Sequence, residues 1–356
     1  MLLKIVSIQA VVWLVTLLVT LLLARLVPPS PQISFAFAAS NGYAGIRLFD
    51  LDHRLTAMLA DTSSPVRTGN VQPPAYSWSP DGHQIVYEDR SRGTPRLMRR
   101  HITGALELLA EAASGCNSPT WSTHDQIAYL CGGILYLIDG SAAPDARQEI
   151  RAEYENTFFR DPIWSADGTR LAHTTTGEQR LLMIRGAAGD RLLERQFSTQ
   201  FTMGQLLDWS SDGVLSYTAS ESWKPHFIDI GDAEISEPQA VGDHLAEYDT
   251  GAHLLDFVWS PDNKLAAFVQ SGRPGDLVIV DGQLQTLRQK LTFTHPAITE
   301  LVWAADSRSL YVNRIWTLSR SEMARFDLET GELIPVTPVF DERIVNLQRR
   351  PSPQGS

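Results

Sequence analysis

The sequence predicts an all-β protein, a seven-bladed β-propeller, and three observations support this fold class. Six tryptophans recur at spacings of 43, 43, 45, 50 and 44 residues, a period in the low forties that is typical of one propeller blade. Each tryptophan ends a short apolar stretch and is followed by a tight turn and a second apolar stretch. A strand-like segment at the C-terminus is left over and can complete the first unit. The recurring tryptophans are Trp78, Trp121, Trp164, Trp209, Trp259 and Trp303.

The N-terminal segment differs from the rest of the chain. Residues 5–24 (IVSIQAVVWLVTLLVTLLLA) contain no charged residue, and twenty apolar residues in a helix span a bilayer core of about 30 Å. We therefore expect residues 1–27 to form an uncleaved single-pass anchor, with a cleaved signal peptide as the alternative. Residues 28–32 (PPSPQ) form a stiff proline-rich linker. The propeller is expected over residues 33–351, followed by a short tail over 352–356.

The turn after each tryptophan has a recognisable composition. Its clearest copies are WSPDG, WSADG, WSSDG and WSPDN. Asp-Gly and Asp-Asn tolerate positive φ and close hairpins at low cost, and a preceding proline presets φ for the turn. Tryptophan offers a large flat surface to bury between neighbouring sheets. We interpret the motif as structural, because six copies of one catalytic residue would be an unusual enzyme.

The two ends of the chain are expected to share one blade. Residues 33–40, 45–52 and 55–60 read as three strands that lack a tryptophan-bearing strand before them. Near the C-terminus, residues 343–353 (RIVNLQRRPSP) align with the repeat so that Arg349 takes the tryptophan place, 46 residues after Trp303. This segment would supply the missing inner strand and remove an open sheet edge. A six-bladed ring is the alternative.

The chain has only two cysteines, Cys116 and Cys131. When the hairpin around Trp121 is aligned residue by residue, they fall opposite each other, and directly opposed strand residues can form a disulfide. Two buried free thiols are the alternative. A disulfide would place the propeller in an oxidising compartment outside the cytoplasm.

The repeated W-S-P-D-G unit resembles the propeller repeat of the TolB-like and WD40-like families. The resemblance covers residues 33–351, with its best copies at 78–82, 164–168, 209–213 and 259–263. It implies a propeller, and for the TolB-like family a role in the bacterial envelope. Two departures separate this chain from TolB itself. The additional α/β domain that precedes the propeller in TolB has no room here, and TolB is soluble after export whereas this chain is expected to keep its anchor.

Motifs that would indicate a catalytic centre are absent from the sequence. There is no G-x-S-x-G nucleophile elbow, H-E-x-x-H zinc motif, Walker A loop or G-x-G-x-x-G fingerprint. The resemblance extends to the propeller domains of prolyl-oligopeptidase-like peptidases, but their hydrolase domain is not accommodated. The histidines at 101, 124, 173, 226 and 295 are scattered singly. We predict no cofactor, and no metal site is assigned.

Four carboxylates are the candidates for residues that line the central channel. They lie shortly before a tryptophan on the predicted inner strands: Asp161, Asp208, Asp256 and Glu300. An unpaired charge is costly between sheets, so these groups should lean toward the channel or a partner. They could bind a cation or a basic ligand, or they could form hydrogen bonds to adjacent blades.

The wide spacing before Trp259 also contains an insertion, residues 234–253. His244 and Glu247 within it have a spacing that is compatible with metal binding, but we interpret the insertion as a solvated loop.

Composition and charge limit the classes of function that the chain is expected to have. The formal net charge of −11 argues against a nucleic-acid partner, which requires a basic face. We expect a membrane-tethered extracytoplasmic platform that binds an envelope protein or peptide without catalysis. The alternatives are an enzyme with a cation-dependent channel site, such as a hydrolase or lactonase, and a structural subunit of a membrane complex.

Overall fold

The computed structural model describes residues 32–63, 72–178, 180–196, 203–219, 225–230, 239–240, 253–272 and 275–352. Seven four-stranded antiparallel sheets follow one another around a ring, so the seven-bladed propeller is confirmed. We number the blades 1 to 7 and begin with the blade that contains both chain ends. In blades 2 to 7 the strands run from the inside of the ring outward in chain order.

The inner strands of blades 1 to 7 are Arg343–Arg349, Tyr76–Trp78, Cys116–Trp121, Thr157–Trp164, Met203–Trp209, Leu254–Trp259 and Ala297–Trp303. The second strands are Gln32–Ala38, Gln84–Asp89, Gln126–Cys131, Arg170–Gly177, Val214–Ala219, Leu265–Gln270 and Ser309–Thr317. The third strands are Ala44–Asp50, Arg96–His101, Ile134–Asp139, Leu181–Gly186, Pro225–Asp229, Gly275–Asp281 and Arg320–Asp327. The outer strands are Leu55–Asp61, Leu106–Ala110, Gln148–Ile150, Arg191–Gln196, Gln239–Ala240, Leu287–Phe293 and Leu333–Pro335. A short 3-10 helix, Pro144–Ala146, precedes the outer strand of blade 3.

Blade 1 is closed by the two ends of the chain, as predicted. The strand Arg343–Arg349 pairs antiparallel with Gln32–Ala38, with Ile33 opposite Arg349 and Ala38 opposite Arg343. Beyond the strand, the Arg350 N–H donates to the Gln32 carbonyl at 3.0 Å. The first unit thus gains its inner strand from the far end of the chain, and the ring has no open seam.

The hydrophobic core lies between blades. Buried side chains of the described residues form clusters that each combine two neighbouring sheets. Between blades 1 and 2, for example, Ile46 and Leu59 pack with Trp78 and Ile85. The six tryptophans are only 3–8% exposed, which agrees with their expected role as packing groups. Because both faces of a blade are covered by neighbouring blades, second strands such as Gln32–Ala38 and Gln84–Asp89 are buried almost continuously.

The predicted anchor over residues 1–27 lies outside the described residues and stays a prediction, as does the linker up to residue 31. Within the described ranges, no helix has the length and apolar character needed to cross a bilayer. The first propeller strand begins at Gln32, one residue earlier than expected.

The two cysteines lie in the hairpin that forms the inner half of blade 3. Cys116 is directly opposite Cys131, and their sulfur atoms are bonded at 2.06 Å. The disulfide ties the start of the inner strand to the end of the second strand, and both residues are buried. No free cysteine remains in the chain.

Candidate functional site

The Ser, Asp and Gly residues of the repeated motif build the turn itself. In blade 2 the Ser79 hydroxyl donates to Asp81 at 2.6 Å and accepts the Gln84 N–H at 2.9 Å. Gly82 has a φ of +68°, in the left-handed region that glycine adopts without strain. The same serine–aspartate contact recurs at Ser165 and Ser260. The motif is therefore structural in each of these copies. We call the end of the ring that carries these turns the turn face.

Three of the four predicted channel carboxylates connect one blade to the next. The Asp208 carboxylate in blade 5 accepts the Trp259 N–H of blade 6 at 2.9 Å. In the same way Asp256 accepts the Leu301 N–H of blade 7 at 2.7 Å, and Glu300 accepts the Leu347 N–H of blade 1 at 3.2 Å. Of the alternatives weighed from the sequence, hydrogen bonding to adjacent blades is the one observed for these three residues.

Two of these carboxylates also bind their own strand. The second oxygen of Asp208 accepts the Trp209 N–H at 2.8 Å, and that of Asp256 accepts the Phe257 N–H at 2.9 Å. Burial raises the pKa of Asp208 to about 7, that of Asp256 to about 6 and that of Glu300 to about 8. Asp256 adds to the shift of Glu300 through charge repulsion. With their oxygens engaged by backbone amides, these groups are poorly placed to act as cation ligands, and the described residues contain no metal-binding group of three or more side chains.

Asp161, the fourth predicted carboxylate, is different. It occupies the same repeat position as Asp256 and Glu300, three residues before the tryptophan. Its φ of +50° places it in the left-handed region, at an irregularity in the pairing between Arg160 and Ile163. No hydrogen bond joins its carboxylate to another residue in the described ranges; its nearest charge is Arg160, with nitrogen and oxygen 4.0 Å apart. Burial raises its pKa above the ordinary value.

Asp161 lines a cavity of about 350 Å³ that is shared by blades 2, 3 and 4. We call it the blade 2–4 cavity. It lies away from the turn face, because its blade 2 residues stand at the end of the second strand rather than at its start. Its lining residues are Glu88, Arg90, Asn117, Ser118, Leu130, Gly133, Phe159, Arg160 and Asp161.

The cavity contains charges of both signs. Glu88 is held in place, since one oxygen accepts two N–H groups of Arg90 and the other accepts the Ser118 N–H at 3.0 Å. The Arg90 and Arg160 side chains remain 37% and 58% exposed, and that of Asp161 remains 40% exposed. Arg160 and Asp161 are thus available to a ligand, and Arg90, whose Nε and Nη2 donate to Glu88, can offer its Nη1.

An exposed aromatic ring lies beside this cavity. Phe158 is 49% exposed and lies over Gly133, where an added Cβ would approach the ring to 2.6 Å. Gly133 therefore allows the ring to rest directly on the backbone. A half-exposed ring beside mixed charges is typical of a surface that binds a peptide or protein.

The sequence pointed to Asp161 but missed its neighbours. Glu88 lies at the end of an ordinary second strand and Arg90 directly after it, and nothing in the local sequence pattern distinguishes them. The left-handed residues Ser118, Asp161 and Asn346 also share one repeat position, which an alignment of the repeats could have revealed. The insertion at 234–253, with His244 and Glu247, lies almost entirely outside the described residues.

Both described ends of the propeller lie at the turn face. Gln32 is next to Arg350, and the Arg350 guanidinium donates to the carbonyl of Gly82 in the turn of blade 2 at 2.8 Å. The first described residue, Gln32, therefore lies at the turn face, and the blade 2–4 cavity lies at the opposite end of the ring.

Comparison with known proteins shows the fold alone. No family model matches the sequence, and no curated protein matches it. Among solved structures, TolB from Acinetobacter baumannii is 12% identical with a TM-score of 0.52, and the match covers 89% of this chain and 67% of that one. An oligogalacturonate lyase in complex with manganese is 12% identical with a TM-score of 0.56, covering 87% and 86%. A prolyl endopeptidase structure is 12% identical with a TM-score of 0.60; the match covers 88% of this chain but only 49% of that one, so the chain spans about half its length.

Proposed function

We propose that this protein is a membrane-tethered, extracytoplasmic propeller that binds a protein or peptide of the cell envelope without catalysis. The partner docks at the blade 2–4 cavity. The observation that carries the proposal is the contrast between Asp161 and the two other acids at its repeat position. Asp256 and Glu300 bind the next blade, whereas the carboxylate of Asp161 lines the cavity. A repeat position released from its structural task is a favourable place for recognition.

The chemistry of the cavity supports a peptide as the ligand. Arg90 and Arg160 can bind carboxylate side chains or carbonyl oxygens, and Asp161 can accept N–H groups or pair with a cationic side chain. The exposed ring of Phe158 supplies the apolar contact that such interfaces place beside their polar groups. A rigid ring holds these groups at fixed positions, so little ordering is lost when a partner binds.

The position of the chain ends supports the tethered arrangement. A membrane segment before Gln32 would hold the turn face toward the bilayer, since a linker of about seven residues in an extended form spans roughly 20 Å. The blade 2–4 cavity would then face away from the membrane. The disulfide between Cys116 and Cys131 is in keeping with an oxidising compartment.

The test is capture of a partner by the full-length chain from gently solubilised membranes, followed by mass spectrometry. We compare the wild type with Phe158→Ser and Asp161→Asn. A partner that docks at the cavity is captured by the wild type and lost by both variants. The matched control is Leu318→Ser, because Leu318 is 92% exposed in the turn between Thr317 and Arg320, remote from the cavity.

Capture of the same protein by all three variants and the wild type would overturn the assignment of the cavity. A wild-type chain that captures no stoichiometric partner in several detergents would overturn the binding function itself. Reversible thermal unfolding of each variant shows whether a loss of capture reflects a loss of folding.

A second candidate function is an enzyme that uses Asp161 for acid–base chemistry. The specific observation in its favour is a half-exposed carboxylate with a raised pKa in a cavity beside two arginines. Perturbed groups in cavities are often catalytic. Hydrolysis of lactone substrates, assayed with and without added divalent cations, tests it. Activity that Asp161→Asn abolishes and Leu318→Ser preserves would favour the enzyme over the binding module.

A further inference from the structure

Arg349 departs from the repeat at the opposite end of the ring. It pairs with Ile33 as Trp78 pairs with Ile85 and Trp164 pairs with Leu171. The register therefore places an arginine where each of the other six blades carries a packed tryptophan. Blade 1 therefore lacks the indole at this position and has the positively charged guanidinium of Arg349 instead.

The Arg349 side chain has no partner in the described part of the chain. No hydrogen bond, ion pair or ring contact involves its guanidinium, and the residue is exposed. The adjacent Arg350 shows the contrast. Its guanidinium donates to the Gly82 carbonyl and to the Gln32 side chain, and it lies over the Trp78 ring at 5.6 Å. Arg350 is thus part of the closure, whereas Arg349 is not.

The protein around Arg349 lowers its pKa below the usual value, and burial is the one cause. No acidic side chain of the described residues is close enough to oppose that shift. The chain has a net charge of −11, yet none of its described acidic side chains serves as a counter-ion for Arg349. Arginine stays protonated under these conditions, so the positive charge is present and unneutralised.

Arg349 lines a cavity of about 390 Å³ at the axis of the ring on the turn face, and inner strands of five blades contribute to it. We call it the axial cavity. Its walls combine apolar and polar groups. The one acid among the lining residues, Asp208, already accepts two backbone N–H groups. The lining includes Trp78, Trp259, Trp303, Val302, Leu347 and Arg349.

We infer that the axial cavity binds a carboxylate attached to an apolar group. The guanidinium of Arg349 can bind a carboxylate through two parallel N–H···O bonds, and the indole edges and aliphatic side chains can cover the apolar part of the ligand. Partial removal of the ion pair from water strengthens it relative to a surface pair. This site is separate from the blade 2–4 cavity and does not depend on the function proposed for that cavity.

The same chemistry has two sources, a small organic acid and the C-terminal carboxylate of a peptide. We measure binding to the full-length chain by calorimetry with three probes: 3-phenylpropionate, the peptide acetyl-Ala-Ala-Phe with a free carboxylate, and the same peptide as its amide. Binding of the first probe alone identifies a small acid as the ligand class. Stronger binding of the free peptide than of its amide identifies a peptide C-terminus.

The variants are Arg349→Gln and Arg349→Trp, the second of which restores the repeat. Each should weaken binding of the carboxylate probe at least tenfold. The matched control is Arg308→Gln, which removes the same charge from the turn of blade 7 on the same face, outside the cavity lining. It should bind as the wild type does. Three outcomes would overturn the inference. The first is equal binding by the wild type and Arg349→Gln, and the second is equal binding of the free and amidated peptides when 3-phenylpropionate does not bind. The third is no binding of any probe at millimolar concentration.

Discussion

Asp256 joins two blades through one carboxylate. Its Oδ2 accepts the N–H of Leu301 in the inner strand of blade 7 at 2.7 Å, and its Oδ1 accepts the N–H of Phe257 in its own strand at 2.9 Å. Glu300 makes the matching contact one blade further on, where its carboxylate accepts the N–H of Leu347 in blade 1 at 3.2 Å. An inner strand has a neighbouring strand on one side only, and a backbone amide of such a strand is thereby satisfied by a side chain of the preceding blade.

Replacing Asp256 with alanine should destabilise the propeller by about 2 kcal/mol, because two partly buried N–H groups lose an anionic acceptor. The free energy of unfolding in urea measures the change. Asp341→Ala is the control. The Asp341 side chain is 89% exposed, and its only ion pair among the described residues is with Arg320 at the surface, so its loss should cost less than about 1 kcal/mol. Equal costs for the two variants would show that the contact between blades contributes nothing of its own.

The contribution of Glu300 to the stability of the wild type should fall as the pH rises from about 5 to about 8. Glu300 has a folded pKa of about 8 against an ordinary value of 4.5, chiefly because of burial. Between these two values the folded state holds a proton that the unfolded state has released, so the stabilisation is complete below the lower value, declines with rising pH and levels off above about 8. The maximum slope is about 1.4 kcal/mol per pH unit for each such group. Glu300→Gln, which retains an acceptor oxygen, should flatten a plot of unfolding free energy against pH; an unchanged slope would contradict the assignment.

His173 should remain neutral throughout the range in which an ordinary histidine titrates. Its ring is fully buried, Phe159 packs edge-on against it at 4.8 Å between ring centres, and the Arg185 Nε–H donates to its Nε2 at 3.1 Å. Burial and then the charge of Arg185 lower its pKa to about 3. The unfolded chain takes up a proton below about 6.5, so this contribution to stability is present above that pH and is lost as the pH falls toward 3. Nitrogen NMR should show a neutral ring with the proton on Nδ1 down to pH 4, and a titration midpoint near 6.5 would refute the prediction.

The closure of the ring depends on a buried hydroxyl network. The Ser34 hydroxyl in blade 1 accepts the Trp78 indole N–H at 2.7 Å and contacts the Tyr76 hydroxyl at 2.8 Å, and Tyr76 donates to the Asn346 carbonyl at 2.9 Å. Ser34→Ala and Tyr76→Phe should each cost about 1–3 kcal/mol by leaving buried partners unsatisfied. The double variant should cost less than the sum, because both changes break one network. Additive costs in urea unfolding would mean that the two hydroxyls act independently.

The disulfide should stabilise the folded chain by about 3 kcal/mol, the value expected from chain entropy for a loop of about 15 residues; its two cysteines are 15 residues apart. Cys116→Ser combined with Cys131→Ser should lower the free energy of unfolding by that amount. A reductant should lower the wild type to the same level and leave the double variant unchanged. A wild type that is insensitive to reductant during unfolding would contradict this expectation.

Much of the fold could be predicted from the sequence, because the length of a repeat can be read from the sequence and indicates the size of one blade. The tryptophan spacing gave the number of blades, the leftover strand around Arg349 gave the closure, and the hairpin alignment gave the opposition of Cys116 and Cys131. These features depend on the local residue pattern and on strand register, and both can be derived from the order of residues in the sequence.

The site was less accessible to sequence reasoning because it depends on contacts between blades. The sequence around Asp256 does not predict that its carboxylate contacts Leu301, 45 residues away. The sequence around Asp161 likewise does not predict that the matching contact is lacking. Glu88 and Arg90 reach the blade 2–4 cavity from a separate repeat. Only the curvature of the ring brings these residues together.

The shared blade also sets the order in which the protein can be completed during its synthesis. Until residue 349 has left the ribosome, the strand Gln32–Ala38 keeps one edge unpaired, and the faces of blades 1 and 7 that should meet have no common inner wall. The nascent chain is therefore an open arc of six complete sheets whose two ends expose an unpaired strand edge and uncovered blade faces. A premature stop before residue 343 would release that arc permanently, and pairing of its free edge with a second arc would compete with degradation.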